Sequence, residues 1–207
     1  MIELNLGFLA SHEGTNMQVI IDACKTGKLK AKPCVVISNN SDSGAILRAK
    51  KESIPYFHLS SKTHTDPLQL DNAIHNALIN NKVNLVILAG YMKKLGLPTL
   101  AAYNGRILNI HPALLPKYGG KGMYGRYVHE AVLASGDKVT GVTIHLVDAE
   151  YDQGPIVAQC QVLVLDGDTV ESLSERVLIR EHEFFIETLK NIENDKIILS
   201  ETNRIPP

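Results

Sequence analysis

The chain lacks an excess of either charge. Lysine plus arginine number 21 against 22 aspartates and glutamates, a formal net charge of -1. A nucleic-acid scaffold usually carries a basic surplus, so recognition of a charged ligand has to be local. Cysteine is scarce: Cys24, Cys34 and Cys160 are odd in number, scattered, and never spaced Cys-x-x-Cys. That argues against a disulfide framework and a structural zinc site alike. No apolar run approaches the ~20 residues that a membrane helix needs. The start, Met1-Ile2-Glu3-Leu4, has neither the basic opening nor the apolar stretch of a signal peptide. These absences predict a soluble, cytoplasmic protein with no nucleic-acid or membrane partner.

What is present suffices for a core. Of 207 residues, 44% are hydrophobic, enough for one sizeable domain spanning 1–207 and few for two. No repeat, low-complexity tract or linker interrupts it. The apolar runs Leu4 to Ala10 and Val83 to Ala89 predict strands buried on both faces, as in parallel sheets. Pro33 to Ser38 and Arg106 to Ile110 are shorter runs of the same kind. Between them, Met17, Ile20, Ile21 and Cys24 recur at helical spacing, with Gly27 as a stop. Asp66 and Pro67 read as an N-cap and first helical proline, with Leu70, Ile74, Ala77 and Leu78 on the buried face. Alternating strands and helices predict an α/β fold with a mostly parallel sheet.

The second half changes character. Residues 111–125 hold four glycines and two prolines without apolar periodicity, and predict a long loop. Val139 to Val147 and Ile156 to Leu165 predict an antiparallel strand pair joined by a short turn. Asp168, with Glu171 three residues on, is expected to cap a final helix running to about Lys190.

Ligands of open α/β sheets bind beyond the carboxyl ends of the strands, and three segments meet that condition. Ser11-His12-Glu13-Gly14-Thr15-Asn16 joins the first strand to the first helix. Its glycine lets backbone approach a ligand, and a helix start offers free N–H groups to an anion. An ordinary turn capped by Thr15 or Asn16 is the simpler alternative. The segment lacks the glycine pattern of dinucleotide and triphosphate loops, so a single phosphate group suits it better. Asn109 and His111 lie two apart at a strand end and can converge on one space. An amide beside an imidazole suits a developing oxyanion and proton transfer near neutral pH. A capped turn before Pro112 would use the same residues. Asp152, in Glu150-Tyr151-Asp152-Gln153-Gly154-Pro155, sits where turns favour Asp and Gly anyway. It gains interest only as a carboxylate partner for His111. No histidine makes a metal-ligand spacing with another His or Cys. His58, His64, His75 and His129 read as surface or helix residues, and His145 as core or pocket wall, so no metal is expected.

A further candidate comes from the last helix. Val170, Leu173, Val177 and Phe184 mark a buried stripe, and Glu181 falls on it. A carboxylate there needs partners: Arg180 or Lys190 at the edge, or a ligand.

Read together, these segments resemble the phosphoribosylglycinamide formyltransferase family. Leu108 to Pro116 is similar to its Asn-Ile-His-Pro-Ser-Leu-Leu-Pro stretch, with Ala113 in place of the serine. Val147 to Pro155 looks like its folate loop, and Ala89-Gly90-Tyr91-Met92 like its folate-pocket strand end. The resemblance runs from the first strand to the last helix. It implies an open, mostly parallel Rossmann-like sheet with an antiparallel C-terminal pair and flanking helices, the formyltransferase fold. It also implies formyl transfer from the cosubstrate 10-formyltetrahydrofolate to the amine of glycinamide ribonucleotide, by a monomer or homodimer. Asn109, His111 and Asp152 would be catalytic, with His111 protonated. Gly14, Thr15, Asn16 and Glu181 would hold the ribonucleotide's phosphate and ribose. Tyr91, Met92, Lys93, Lys94, Asn109, Val147, Asp148 and Asp152 would line the folate site. His12 and Glu13 replace the usual glycine or asparagine. Leu178 replaces a phosphate-contacting Lys or Gln, for which Arg180 is a substitute to test. A sugar-nucleotide formyltransferase, or a silent folate- or nucleotide-binding module, are the rivals. No extra terminal domain of the kind found in tRNA formyltransferases or formyltetrahydrofolate deformylases has room here.

Overall fold

In a computed structural model, residues 3–199 are described, so Met1 and Ile2 of the N-terminal reading lie outside them. The elements run β1 (Leu4–Leu9), α1 (Thr15–Lys25), β2 (Ala31–Ser38), α2 (Gly44–Lys51), β3 (Tyr56–His58), α3 (Pro67–Asn80), β4 (Leu85–Leu88), α4 (Leu97–Ala102), β5 (Ile107–His111), α5 (Arg126–Ser135), β6 (Val139–Leu146), β7 (Ile156–Leu163) and α6 (Val170–Glu193). They form one seven-stranded sheet in the order β3-β2-β1-β4-β5-β6-β7. The first five strands are parallel. β6 and β7 are antiparallel to their neighbours, as expected.

The continuous apolar runs are explained by cores on both faces. Along β1, Leu4, Leu6, Phe8 and Ala10 join one cluster with α1 and α6, while Leu9 joins the other with α3. β4 divides likewise: Leu85, Ile87 and Ala89 on one face, Val86 and Leu88 on the other. A period-2 side-chain alternation between two covered faces demands apolar residues throughout. The strand order reverses between β1 and β4, and there a crevice opens beyond the carboxyl ends.

Two local expectations are corrected. Thr169, not Asp168, caps α6: its side chain accepts from Ser172 N, and Ser172 returns the bond. Asp168 is instead occupied by Arg176, which reaches both carboxylate oxygens at 2.7 Å, and Glu171 turns outward to Arg126. A hydroxyl pair completes the box as well as a carboxylate would, and releases the acids for ion pairs. The β6–β7 connection is no tight turn either. It spans residues 147–155 and carries Asp152 at a positive φ of 56°.

Candidate active site

The crevice is a cavity of about 1140 Å³ lined by Gly14, Thr15, Asn16, Tyr91, Met92, Lys93, Lys94, Asn109, His111, Val147, Asp148, Asp152 and Glu181, all of them expected from the sequence. Pockets for drug-sized ligands measure roughly 300–1,000 Å³, so this one lies just above the upper end of that range.

On one side, Gly14 takes the left-handed conformation (φ 65°, ψ 35°) at the start of α1, with no side-chain cap. The alternative of a Thr15 or Asn16 cap is therefore overturned: both lie inside the first turn, whose N–H groups keep no side-chain acceptor. A Cβ at Gly14 would come within 3.0 Å of Ala45 on α2, so glycine is needed for loop packing as well as for its φ. The outer half of the loop is bolted to α2, since Ala45 N donates to His12 O and Arg48 Nε to Glu13 O. Glu181 is buried, and Asn16 Nδ2 donates to its Oε2 at 3.1 Å. Burial pushes the Glu181 carboxyl up to about 7, against the opposing pull of the Asn16 amide. Asn16 Oδ1 is itself buried with no hydrogen-bond partner. The corner thus holds two acceptors suited to a ligand's hydroxyl groups. Arg180 does not supply the cation missing at Leu178. It is spent on Glu187 and Glu183 and lies over Phe184, away from the cavity.

At the centre, Asn109 and His111 project from the end of β5, and the 147–155 loop brings Asp152 against them. His111 Nε2 donates to Tyr118 O at 2.7 Å, leaving the Nδ1 lone pair facing Asp152 Oδ2 at 3.6 Å. The Tyr118 carbonyl is aimed by a positive φ of 60° and by its hydroxyl, which donates to Asp137 at 2.7 Å. Asp152 accepts from Gly120 N at 2.9 Å, tying the glycine loop to the carboxylate. A Cβ at Gly154 would collide with the Leu146 carbonyl, so that glycine permits the tight return after Asp152.

One expectation fails here. Asp152 does favour the imidazolium, but burial outweighs it and lowers the His111 pKa below the usual value. The shift favours the neutral imidazole over the protonated one. Asp152 is also pushed up by burial, yet His145, His111 and the Gly120 N–H together hold it below the ordinary carboxylate range.

Two histidines were undervalued in the sequence. His145 resolves to pocket wall: its Nδ1 donates to Leu146 O at 2.8 Å, and its Nε2 faces Asn109 Nδ2 at 3.0 Å and Asp152 Oδ1 at 3.5 Å. This orients the Asn109 amide and leaves its second hydrogen for a ligand. The only signal was alternation with Thr143, too weak to separate core from pocket. His129 is a helix residue, on α5, rather than a surface one: it is buried, lines the cavity, and has an unpartnered Nδ1. Lys94 donates to Ala149 O and Glu150, bridging the two walls of the other half.

An open, doubly wound sheet thus brings an amide, an imidazole and a carboxylate together at its switch point, where folds of this kind bind ligands. The chain belongs to the formyl transferase family, whose pattern matches residues 4–189. It is 39% identical over 194 residues to the phosphoribosylglycinamide formyltransferase, chloroplastic, of Vigna unguiculata, covering 93% of this chain and 62% of that protein. It therefore spans less than two thirds of that relative. The phosphoribosylglycinamide formyltransferase of Haemophilus influenzae is 39% identical over 180 residues, 87% of this chain and 82% of its own. A solved glycinamide ribonucleotide transformylase from Symbiobacterium toebii superposes with a TM-score of 0.88 at 36% identity, covering 98% and 93% of the two chains.

Proposed function

We propose that this protein transfers the formyl group of 10-formyltetrahydrofolate to the amine of glycinamide ribonucleotide. The observation that carries the reading is the convergence of Asn109, His111 and Asp152 with the Gly14–Asn16 helix start and Glu181 in one cavity. The phosphate is assigned to the first-turn N–H groups of α1, and the ribose hydroxyls to Glu181 and Asn16. The folate is assigned to the wall of Tyr91, Met92, Lys93 and Lys94 and to the loop of Val147, Asp148 and Asp152. The amine nitrogen forms the new bond to the formyl carbon, and the bond from that carbon to the folate nitrogen breaks. The Asn109 amide hydrogen meets the developing oxyanion. One proton passes from the amine to the leaving nitrogen, carried by Asp152 and the free Nδ1 of His111. The imidazolium is thus formed when the oxyanion is, rather than held beforehand.

We also infer cytoplasmic action. Among the described residues no helix is long and apolar enough to cross a membrane, and the three cysteines are free. The test is a spectrophotometric assay of 10-formyltetrahydrofolate consumption by the purified chain. Turnover is expected with glycinamide ribonucleotide and not with an amino-sugar nucleotide. Turnover with the sugar nucleotide alone, or ligand binding without turnover, overturns the reading.

A further inference from the structure

The wall between Gly90 and Gly96 has no regular secondary structure, yet it presents five consecutive residues, Tyr91 to Leu95, to the cavity. Irregular backbone holds a shape only if something fixes its ends. Two buried side chains do so, and neither lines the cavity.

At the first end stands Ser11, just after β1. Its N–H donates to Gly90 O at 3.0 Å, and its hydroxyl accepts from Met92 N at 2.8 Å. The same hydroxyl donates to Asn39 Oδ1 at 2.6 Å beyond β2. At the second end stands Asp71, a carboxylate inside α3 and 4% exposed. Its Oδ1 accepts from Gly96 N at 2.7 Å and its Oδ2 from Thr99 N at 2.8 Å. Gly96 is the N-cap residue of α4 and offers no side-chain cap of its own, so Asp71 caps that helix from 25 residues away. A Cβ on residue 96 would lie 2.6 Å from Asp71 Cγ, so the contact exists only because residue 96 is glycine. A buried carboxylate is unfavourable unless its oxygens are satisfied, and here both are used on the backbone that ends the wall.

We propose that Ser11 and Asp71 are positioning residues for the formyl donor, clamping the two ends of the wall so that it is already shaped when the donor arrives. This rests on the proposed function for the identity of the donor. Preorganisation of this kind saves the ordering of a loop on binding, so its loss is read in affinity for the ligand that the wall touches. It differs from simple fold maintenance, which would affect both substrates alike.

The variants are Asp71→Asn, which keeps the size and removes one acceptor, and Ser11→Ala, which tests the other anchor should the first fold poorly. In the full chain each is expected to raise KM for 10-formyltetrahydrofolate on the order of tenfold, the share of one hydrogen bond. KM for the ribonucleotide, kcat and the pH profile are expected to stay within twofold. Amide exchange in residues 90–99 should quicken while that of 12–16 does not change. Parallel rises in both KM values, or an unchanged donor KM, overturn the proposal. Wild-type turnover is measured first. If that fails, the functional reading falls, and the clamp is judged instead by calorimetric binding of tetrahydrofolate: equal affinity in wild type and both variants overturns it.

Discussion

Glu181 offers a quantitative handle, because its burial and its assigned role predict opposite pH trends. Burial moves its carboxyl from 4.5 to about 7, so the folded chain prefers it protonated. At 1.36 kcal/mol per tenfold, the ionised form is disfavoured by roughly 3 kcal/mol. The sign follows: this contribution to stability is fully present below pH 4.5 and is lost as pH rises through about 7. Glu181→Gln should remove that dependence, and denaturant unfolding at pH 5 and pH 8 measures it. Ligand binding should run the other way. A carboxylate accepting hydroxyl hydrogen bonds contributes about 1.5–3 kcal/mol, so ribonucleotide affinity should fall roughly 10- to 150-fold in Glu181→Ala at pH 8. The gap between wild type and Glu181→Gln should close toward pH 5, where both side chains are neutral. Comparing the two also cancels the titration of the substrate phosphate. Calorimetric titration of each ligand, with the folate as control, provides the assay. A wild-type to Gln ratio that is flat from pH 5 to 8, or normal binding in Glu181→Ala, refutes the reasoning.

Three further outcomes follow from the same geometry. Asn109→Ala should lower kcat by about 10²–10³ with little change in substrate binding, the typical effect of losing one oxyanion donor; steady-state kinetics at saturating substrates checks it. Asp152→Asn should slow transfer by about 10²–10⁴. It should also move the limb of the pH–rate profile assigned to His111 to lower pH, because the one carboxylate that opposes burial would be gone; an unmoved limb would reduce Asp152 to a loop residue. Gly14→Ala should raise KM for the ribonucleotide severalfold through strain at φ 65° and pressure on Ala45, with direct folate binding kept near normal.

Local patterns were enough for much of this protein. The two-faced apolar runs of β1 and β4 and the Asp66–Pro67 start of α3 both depend on patterns within a few residues. They were legible because period and caps are written in the chain itself. Asn109 and His111 were legible as a pair for the same reason, since residues two apart on a strand share a side. The rest depended on distance in space. Whether Thr169 or Asp168 caps α6 was decided by Arg176, which claims the aspartate from two helical turns along. His145 became pocket wall only when β6 paired beside β5 and placed its Nε2 against Asn109. Asp152 could be named but not placed until the 147–155 loop folded back onto His111. The protonation of His111 could not be read at all, because proximity of a carboxylate is a pairwise property while burial is a property of the whole surrounding fold. There, desolvation won over the Asp152 charge. What the sequence by itself determined was which groups the chain carries and which face each takes; only the tertiary structure decided how much water each one keeps, and with it their charge.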